Sequence, residues 1–180
     1  MYGLVNVAIK DLVIKMYDEA AWKEVCKLSN FEDEDFVGME PYPDNLTYTL
    51  VANVCKVSGL DSETVLKAFG EHWILFTADQ GYGDLMNLSG SDFVSFLNNL
   101  DMLHERISGI MPELSPPQFN TRNETENSVE LEYRSHRAGL LPMLFGLVYG
   151  LGKRFDVSVT ISQIEFKSEG AECDVLLITW

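Results

Sequence analysis

The sequence predicts an α+β domain, in which a helical first part is followed by a small antiparallel sheet with helices packed on it. Three observations indicate this class. Apolar residues recur at spacings of three and four as far as Met111, which is the period of a helix with one buried face. From Ser128 the period falls to two, as it does in strands. The length of 180 residues is that of one domain.

The helical part is expected to begin with two short amphipathic helices. Val5, Ile9 and Leu12 fall on one face of the first helix, and Trp22 and Val25 fall on one face of the second. The elements expected after them are an acidic loop over 31–43, helices over 44–57 and 62–76, and a turn at the Gly-Tyr-Gly sequence of 81–83.

A long helix is predicted over 92–110, because Pro112 ends a helix at or just before itself. Its apolar stripe contains His104, four residues after Leu100 and three before Ile107. An imidazole in such a stripe faces the interior, where it needs a hydrogen bond or a metal. Two partners are open at this point: a main-chain carbonyl group, or an iron ion in an apolar pocket.

The first predicted strand brings hydrogen-bond donors to the interior. Alternation continued to residue 137 places Tyr133, Ser135 and Arg137 on the same face as the apolar Leu131. A phenol, a hydroxyl and a guanidinium two residues apart are suited to bind an anion, and a buried guanidinium needs an anionic partner. The alternative is a strand that emerges into water after Leu131. The other expected elements are a helix over 139–153, strands over 157–167 and 172–180, and a hairpin turn at 168–170.

The charge of the chain excludes several classes of partner. Lysine and arginine number 13 against 28 acidic residues, which gives a formal net charge of −15. Such a surface repels phosphate backbones and anionic lipids, so neither a nucleic acid nor a membrane surface is an expected partner. The longest apolar run, over 139–152, is shorter than the ~20 residues of a spanning helix, and the N-terminus lacks the basic start of a secretory signal. We therefore expect a cytoplasmic protein.

Together, His104 and the polar strand favour one ligand that is apolar in its body, carries carboxylates at its edge and contains a metal that accepts imidazole. Haem fits this description. A module that binds an apolar ligand without a metal is an alternative, and it predicts a colourless protein.

These residues resemble the motifs of the H-NOX (haem–nitric oxide/oxygen-binding) family, which includes the haem domain of the soluble guanylate cyclase beta subunit. The Tyr-x-Ser-x-Arg triplet of 133–137 follows a helix that carries His104 within Leu-Asp-Met-Leu-His-Glu. The opening Met-Tyr-Gly-Leu-Val-Asn, the turn at 81–83 and the Pro-Pro pair at 116–117 have counterparts in the same order. The similarity implies a single H-NOX-like domain over 1–180 that encloses a haem. It also implies a distal helical subdomain over about 1–60 and a proximal subdomain with the sheet over about 61–180.

The resemblance implies roles for individual residues around a haem b. His104 is expected to be the proximal ligand of the iron. Tyr133, Ser135 and Arg137 are expected to hold the propionates through charge-assisted hydrogen bonds, and Pro117 is expected to press on the porphyrin. The remaining residues expected to contact the haem are Met1, Val5, Trp73 and Leu147.

The distal side determines which gas is bound. In oxygen-binding relatives, a tyrosine five or six positions after the motif arginine donates a hydrogen bond to dioxygen. Here those positions hold Pro142 and Met143, and Tyr149 lies about two turns (~10 Å) further along the helix. A lost hydrogen bond costs ~1–3 kcal/mol, so we expect binding of nitric oxide and CO with little affinity for dioxygen. Trp73 retains an N–H donor that is relevant if it enters the distal pocket.

The resemblance further implies how a signal leaves the domain. Nitric oxide is expected to weaken the bond between iron and His104, after which the haem and the subdomains shift. Because the chain ends at Trp180 with no kinase or cyclase module attached, we expect a stand-alone sensor of the bacterial type. Its expected partner is a separate histidine kinase of a two-component system, or a diguanylate cyclase or phosphodiesterase that handles cyclic-di-GMP.

The competing function is that of a haem enzyme of the peroxidase or nitric-oxide dioxygenase type. Peroxidase chemistry uses a distal acid–base residue, commonly histidine. His72, next to Trp73, is the candidate for that role, whereas His136 alternates away from the Tyr133 face toward solvent. The resemblance favours a sensor that is not an enzyme.

Overall fold

The computed structural model describes residues 1–31 and 35–180, with residues 78 and 79 described by their backbone alone. Residues 32–34 of the predicted acidic loop lie outside the described residues. The helices are α1 (Gly3–Met16), α2 (Glu19–Leu28), α3 (Asp44–Ser58), α4 (Ser62–Thr77), α5 (Gly83–Asn87), α6 (Phe93–Asn98), α7 (Leu100–Ser108) and α8 (Leu141–Arg154). The strands are β1 (Gln118–Arg122), β2 (Ser128–Arg134), β3 (Thr160–Glu165) and β4 (Asp174–Thr179). This arrangement confirms the predicted α+β class.

The first three helices and most of α4 share one apolar core. Trp22 and Val25 are almost completely buried at its centre, as their helical spacing predicts, and so is Leu50 of α3. Asp18 caps the N-terminus of α2, because its carboxylate accepts a hydrogen bond from the backbone N–H of Ala21 at 2.8 Å.

The sheet forms a second core together with α6, α7 and α8. Its strand order is β1-β2-β4-β3, and all neighbours are antiparallel. Tyr133 of β2 lies between Phe119 of β1 and Asp174 of β4. Strand β1 was not predicted, because Phe119 is the one apolar residue in its sequence Gln-Phe-Asn-Thr-Arg and the period-two signal is absent.

The prediction of one long helix over 92–110 is wrong in one respect, because the helix is interrupted at Asn99. The backbone of Asn99 has φ −105° and ψ 10°, which is outside the helical region, so that α6 ends and α7 begins there. The Asn99 side chain donates to the carbonyl oxygen of Ser89 at 3.0 Å, which holds the break in place. His104 therefore lies on the shorter helix α7.

Helices α4 and α8 pack at very close range through glycines. A Cβ atom at Gly146 of α8 would overlap the carbonyl oxygen of Lys67 on α4, and one at Gly70 of α4 would overlap the carbonyl oxygen of Met143 on α8. The apolar run over 139–152 is thus accounted for by a packed internal helix. Within the described residues, no helix combines the length and the apolar character needed to cross a membrane.

Strand β2 ends earlier than alternation to residue 137 predicts. Its last residue is Arg134, and Ser135 and Arg137 follow in the loop that leads to α8. On the outer face of the sheet Glu132 is buried, because the guanidinium groups of Arg122 (2.8 Å) and Arg134 (2.7 Å) cover its carboxylate.

Candidate functional site

A cavity of about 290 Å³ lies where the two cores meet, between α1, α4, α7, α8 and the sheet. Its walls are mostly apolar, and its polar groups are concentrated where β2 ends. The nine residues predicted from the sequence to contact haem all line it: Met1, Val5, Trp73, His104, Pro117, Tyr133, Ser135, Arg137 and Leu147.

His104 enters this cavity from α7. Its ring stacks on Phe119 of β1, with 5.6 Å between the ring centroids and 27° between the planes. Burial lowers the pKa of His104, while the carboxylate of Asp101 opposes this effect, so the imidazole is neutral at pH 7. The Nδ1 atom of His104 is buried, and no hydrogen-bond partner for it exists among the described residues.

The unpaired Nδ1 atom helps to decide between the two partners that the sequence left open for His104, a main-chain carbonyl group and an iron ion. A main-chain carbonyl group that accepts from Nδ1 is absent from the described part of the chain. An unpaired polar atom in a buried position costs free energy unless a ligand changes its surroundings. A neutral imidazole on a cavity wall is the form of histidine that binds a metal.

The polar rim of the cavity consists of Tyr133, Ser135 and Arg137. Burial raises the pKa of Tyr133, so its hydroxyl remains protonated and able to donate. The Ser135 Oγ atom accepts a hydrogen bond from the backbone N–H of Arg137 at 3.1 Å. The guanidinium of Arg137 is held by Asp44 of α3, with 2.7 Å between Nε and Oδ2, and by the carbonyl oxygen of Ser115 at 2.5 Å.

Asp44 is a functional candidate that the sequence did not reveal. Its carboxylate lies between Arg137 Nε and the amino group of Met1, which is 2.5 Å from Oδ1. These bonds, that from Arg137 above all, lower the pKa of Asp44 to about 2. No local pattern indicates this pair, because Asp44 and Arg137 are 93 residues apart along the chain.

The cavity also contains hydroxyl groups that were not predicted. Thr77 donates to the carbonyl oxygen of Trp73 at 2.7 Å, which commits its proton. Tyr2 accepts a hydrogen bond from the backbone N–H of Glu113 at 3.1 Å. The hydroxyl of Tyr82 lies 3.5 Å from the sulfur of Met39, which is a weak acceptor.

Three other predicted positions can be compared with the structure. Tyr149 is exposed on α8 and does not line the cavity in the described structure. His136 is exposed, as alternation predicts. His72 lies outside the described cavity lining, and its Nε2 atom is 2.8 Å from the Asp11 carboxylate of α1.

The residues present fit a haem. An apolar cavity with one neutral imidazole on its wall suits the porphyrin and its iron, and a rim of hydroxyl and guanidinium donors suits two carboxylates. A family model described as haem-NO-binding matches residues 2–163. The chain belongs to the haem-NO-binding family. It is therefore a haem-binding gas-sensor domain related to the haem domains of guanylate cyclases.

The chain is also similar in sequence to soluble guanylate cyclases of animals. The chain is 29% identical over 177 residues to soluble guanylate cyclase gcy-35 of Caenorhabditis elegans, covering 94% of this chain and 25% of that protein. It is 27% identical over 178 residues to gcy-33 of the same organism, covering 98% of this chain and 19% of that protein. The chain thus spans a quarter or less of the length of these relatives.

Solved H-NOX structures share the fold. The structure superimposes on an H-NOX protein from S. oneidensis in the Fe(II)NO ligation state with a TM-score of 0.88 at 24% sequence identity, covering 99% of this chain and 98% of that one. For an oxygen-binding H-NOX domain related to soluble guanylate cyclases the TM-score is 0.84 at 19% identity, covering 99% of this chain and 94% of that one. These matches establish the α+β fold of the domain as that of H-NOX proteins.

Proposed function

We propose that this domain senses nitric oxide through a haem b that is bound in the cavity, also binds CO, and has little affinity for dioxygen. The observation that carries the proposal is the placement of a neutral, partly buried His104 and of the rim residues around one apolar cavity. His104 is the proposed iron ligand, and Tyr133, Ser135 and Arg137 are the proposed propionate ligands. Pro117, Met1, Val5, Trp73 and Leu147 are the proposed contacts of the porphyrin.

A bound haem supplies a ferrous iron to which nitric oxide and CO bind. The protein's part is to hold that group and to exclude polar competitors. Burial keeps His104 neutral, so that its lone pair is free for the iron, and the stacked ring of Phe119 fixes the orientation of the imidazole. The apolar walls keep water from the iron.

Gas selectivity is proposed to follow from the lack of a tyrosine at the positions where oxygen-binding relatives have their donor. Met143 lines the cavity at one of the positions where oxygen-binding relatives have tyrosine, and the proton of Thr77 is committed to a main-chain carbonyl group. Two hydroxyls of the cavity could still turn toward a bound gas. Tyr82 donates to a sulfur atom alone, and Tyr2 accepts a hydrogen bond but donates none within the described residues.

The test of selectivity is an absorption spectrum of the reduced protein, taken under air, under CO and with nitric oxide. We expect complexes with CO and nitric oxide and none with dioxygen, in the wild type and in Tyr82→Phe alike. A stable oxygen complex in the wild type would contradict the proposed selectivity. Its loss in Tyr82→Phe would then identify the donor.

The signal is proposed to travel from His104 to both cores. Asp101, one turn before His104 on α7, accepts a hydrogen bond from the backbone N–H of Phe119 at 2.7 Å, so a displacement of α7 is passed to β1. The Arg137–Asp44 pair connects the rim to α3. A haem held by His104 would supply the iron to which nitric oxide binds, and any loosening of its hold on His104 would let α7 move relative to α3.

The partner is proposed to be a separate histidine kinase or an enzyme of cyclic-di-GMP metabolism. A net charge of −15 favours a partner with a basic face, because complementary charges accelerate association. The test is to measure autophosphorylation of a candidate kinase with the reduced domain and with its nitric oxide complex. The same rate in both states would exclude that kinase as the partner.

The enzyme alternative depends on His72 as a distal acid–base group. In the structure His72 faces Asp11 of α1 and is not part of the described cavity lining, which favours a sensor that is not an enzyme. We expect negligible peroxide turnover in the wild type and no change in His72→Ala. Turnover that is lost in His72→Ala would support the enzyme instead.

A further inference from the structure

The turn between β3 and β4 brings a lysine next to Ser135 of the cavity rim, although Lys167 itself is not part of the described cavity lining. Lys167 begins the 3-10 turn Lys167–Glu169, and its backbone N–H donates to Asp174 Oδ1 at 2.9 Å. Asp174 is the cross-strand neighbour of Tyr133, so the turn is fixed beside the end of β2. The ammonium group of Lys167 lies 3.3 Å from the carbonyl oxygen of Ser135, which is itself a rim residue. Lys167 is therefore a further cation next to the polar edge of the cavity, in addition to Arg137 and the amino group of Met1.

The surroundings of Lys167 differ from those of most other lysines in this acidic protein. No carboxylate lies within ion-pair distance of its Nζ atom among residues 1–31 and 35–180. The lysines that do pair with carboxylates are Lys10, Lys15, Lys27, Lys67 and Lys153. With 28 acidic residues in the chain, a lysine that donates only to a rim carbonyl has its charge available for a ligand.

The charge balance at the rim also favours a role for this lysine in binding an anionic ligand. Arg137 already has an anionic partner, because Asp44 lies 2.7 Å from its Nε atom. Two propionates add two negative charges, and Tyr133 and Ser135 contribute hydrogen bonds but no charge. Asp44 is also paired with the amino group of Met1, so these two cations face three negative charges when two propionates are bound. The edge is left with one excess negative charge, which is costly in a partly buried position.

We propose that Lys167 binds one of the two propionates and completes the carboxylate-binding edge of the haem site. This inference rests on the proposed haem function. Because its side chain is exposed, Lys167 can exchange the Ser135 carbonyl oxygen for a carboxylate oxygen, which is a stronger acceptor for an ammonium group. Lys167 is a positioning residue for the haem and has no contact with the gas.

The experiment measures the rate at which haem leaves the loaded domain for an excess of a haem-scavenging apoprotein. We expect Lys167→Gln to release haem about three- to tenfold faster than the wild type, Lys167→Glu to release it faster still, and Lys167→Arg to behave as the wild type. The matched control is Lys153→Gln, since Lys153 lies on α8 and pairs with Glu71 away from the rim. Release at the wild-type rate from both Lys167→Gln and Lys167→Glu would overturn the proposal.

A second measurement separates propionate binding from a purely structural role. The domain is loaded with the dimethyl ester of haem, whose side chains carry no charge. We expect the wild type and Lys167→Gln to release the ester at the same rate. If Lys167→Gln still releases the ester faster, Lys167 acts on the fold and the proposal is wrong. Failure of the wild type to bind any haem would instead refute the proposed function.

Discussion

Asp44 connects the α1–α3 core to the rim of the cavity, and we expect its replacement by asparagine to lower the free energy of unfolding. The bonds to Arg137 and to the amino group of Met1 hold the pKa of Asp44 at about 2, compared with the ordinary value of 3.8. In Asp44→Asn the side chain has no charge, so both ion pairs are lost. The domain should therefore be less stable at neutral pH.

The magnitude follows from the two pKa values. The difference between 3.8 and about 2 corresponds to roughly 2.4 kcal/mol at 1.36 kcal/mol per pKa unit. The side chain of Asp44 is 37% exposed, so solvent screening reduces this figure, and we expect about 1 kcal/mol. Because the folded-state pKa is depressed, the stabilisation is complete above the unfolded value and is lost as the pH falls from about 4 to about 2.

The assay is denaturant unfolding of the wild type and of Asp44→Asn at several pH values between 7 and 2. We expect a gap of about 1 kcal/mol in the free energy of unfolding at pH 7, which closes as the pH approaches 2. The exposed Glu40 serves as a control, and Glu40→Gln should leave the stability unchanged. A gap that is absent at pH 7, or that stays constant down to pH 2, would refute the reasoning.

Two further predictions concern the walls and the rim. Gly146→Ala places a methyl group against the Lys67 carbonyl oxygen, so α4 and α8 must separate. We expect the free energy of unfolding to fall by about 1–3 kcal/mol and the melting temperature by roughly 2–10 °C. An unchanged melting temperature would contradict the close packing. Arg137→Ala removes the rim guanidinium. Haem transfer from this variant to an apoprotein should be at least tenfold faster than from the wild type, because about one charged hydrogen bond to a propionate is lost. Equal rates for the two proteins would show that the propionates are held elsewhere.

Much of the fold could be predicted because apolar residues recur at regular spacings in the core helices and in three of the strands. The burial of Trp22 and Val25 and the inward face of β2 follow from spacing alone. Strand β1 could not be found in this way, since Phe119 is its only apolar residue and β1 is defined by pairing with β2. The break at Asn99 was also missed, because it depends on a hydrogen bond to Ser89 that no local sequence signal marks.

The residues of the site were easier to predict than their partners. His104 and the Tyr-x-Ser-x-Arg triplet could be selected because their chemistry is unusual at positions predicted to face the interior. Their mutual arrangement could not, since Ser135 and Arg137 reach the cavity from a loop after β2. The contacts of Asp44 and Lys167 with the rim join residues distant in sequence, and only the folded chain brings them together.

The central claim is that the imidazole of His104 holds a haem iron in the cavity. The most direct measurement is the visible absorption spectrum and the haem content of the purified wild type and of His104→Gly, each reconstituted with haem in the absence and presence of free imidazole. The account predicts one haem per chain in the wild type, little or none in His104→Gly, and recovery of haem binding when imidazole fills the space left by the side chain. Full haem occupancy of His104→Gly without imidazole would contradict it.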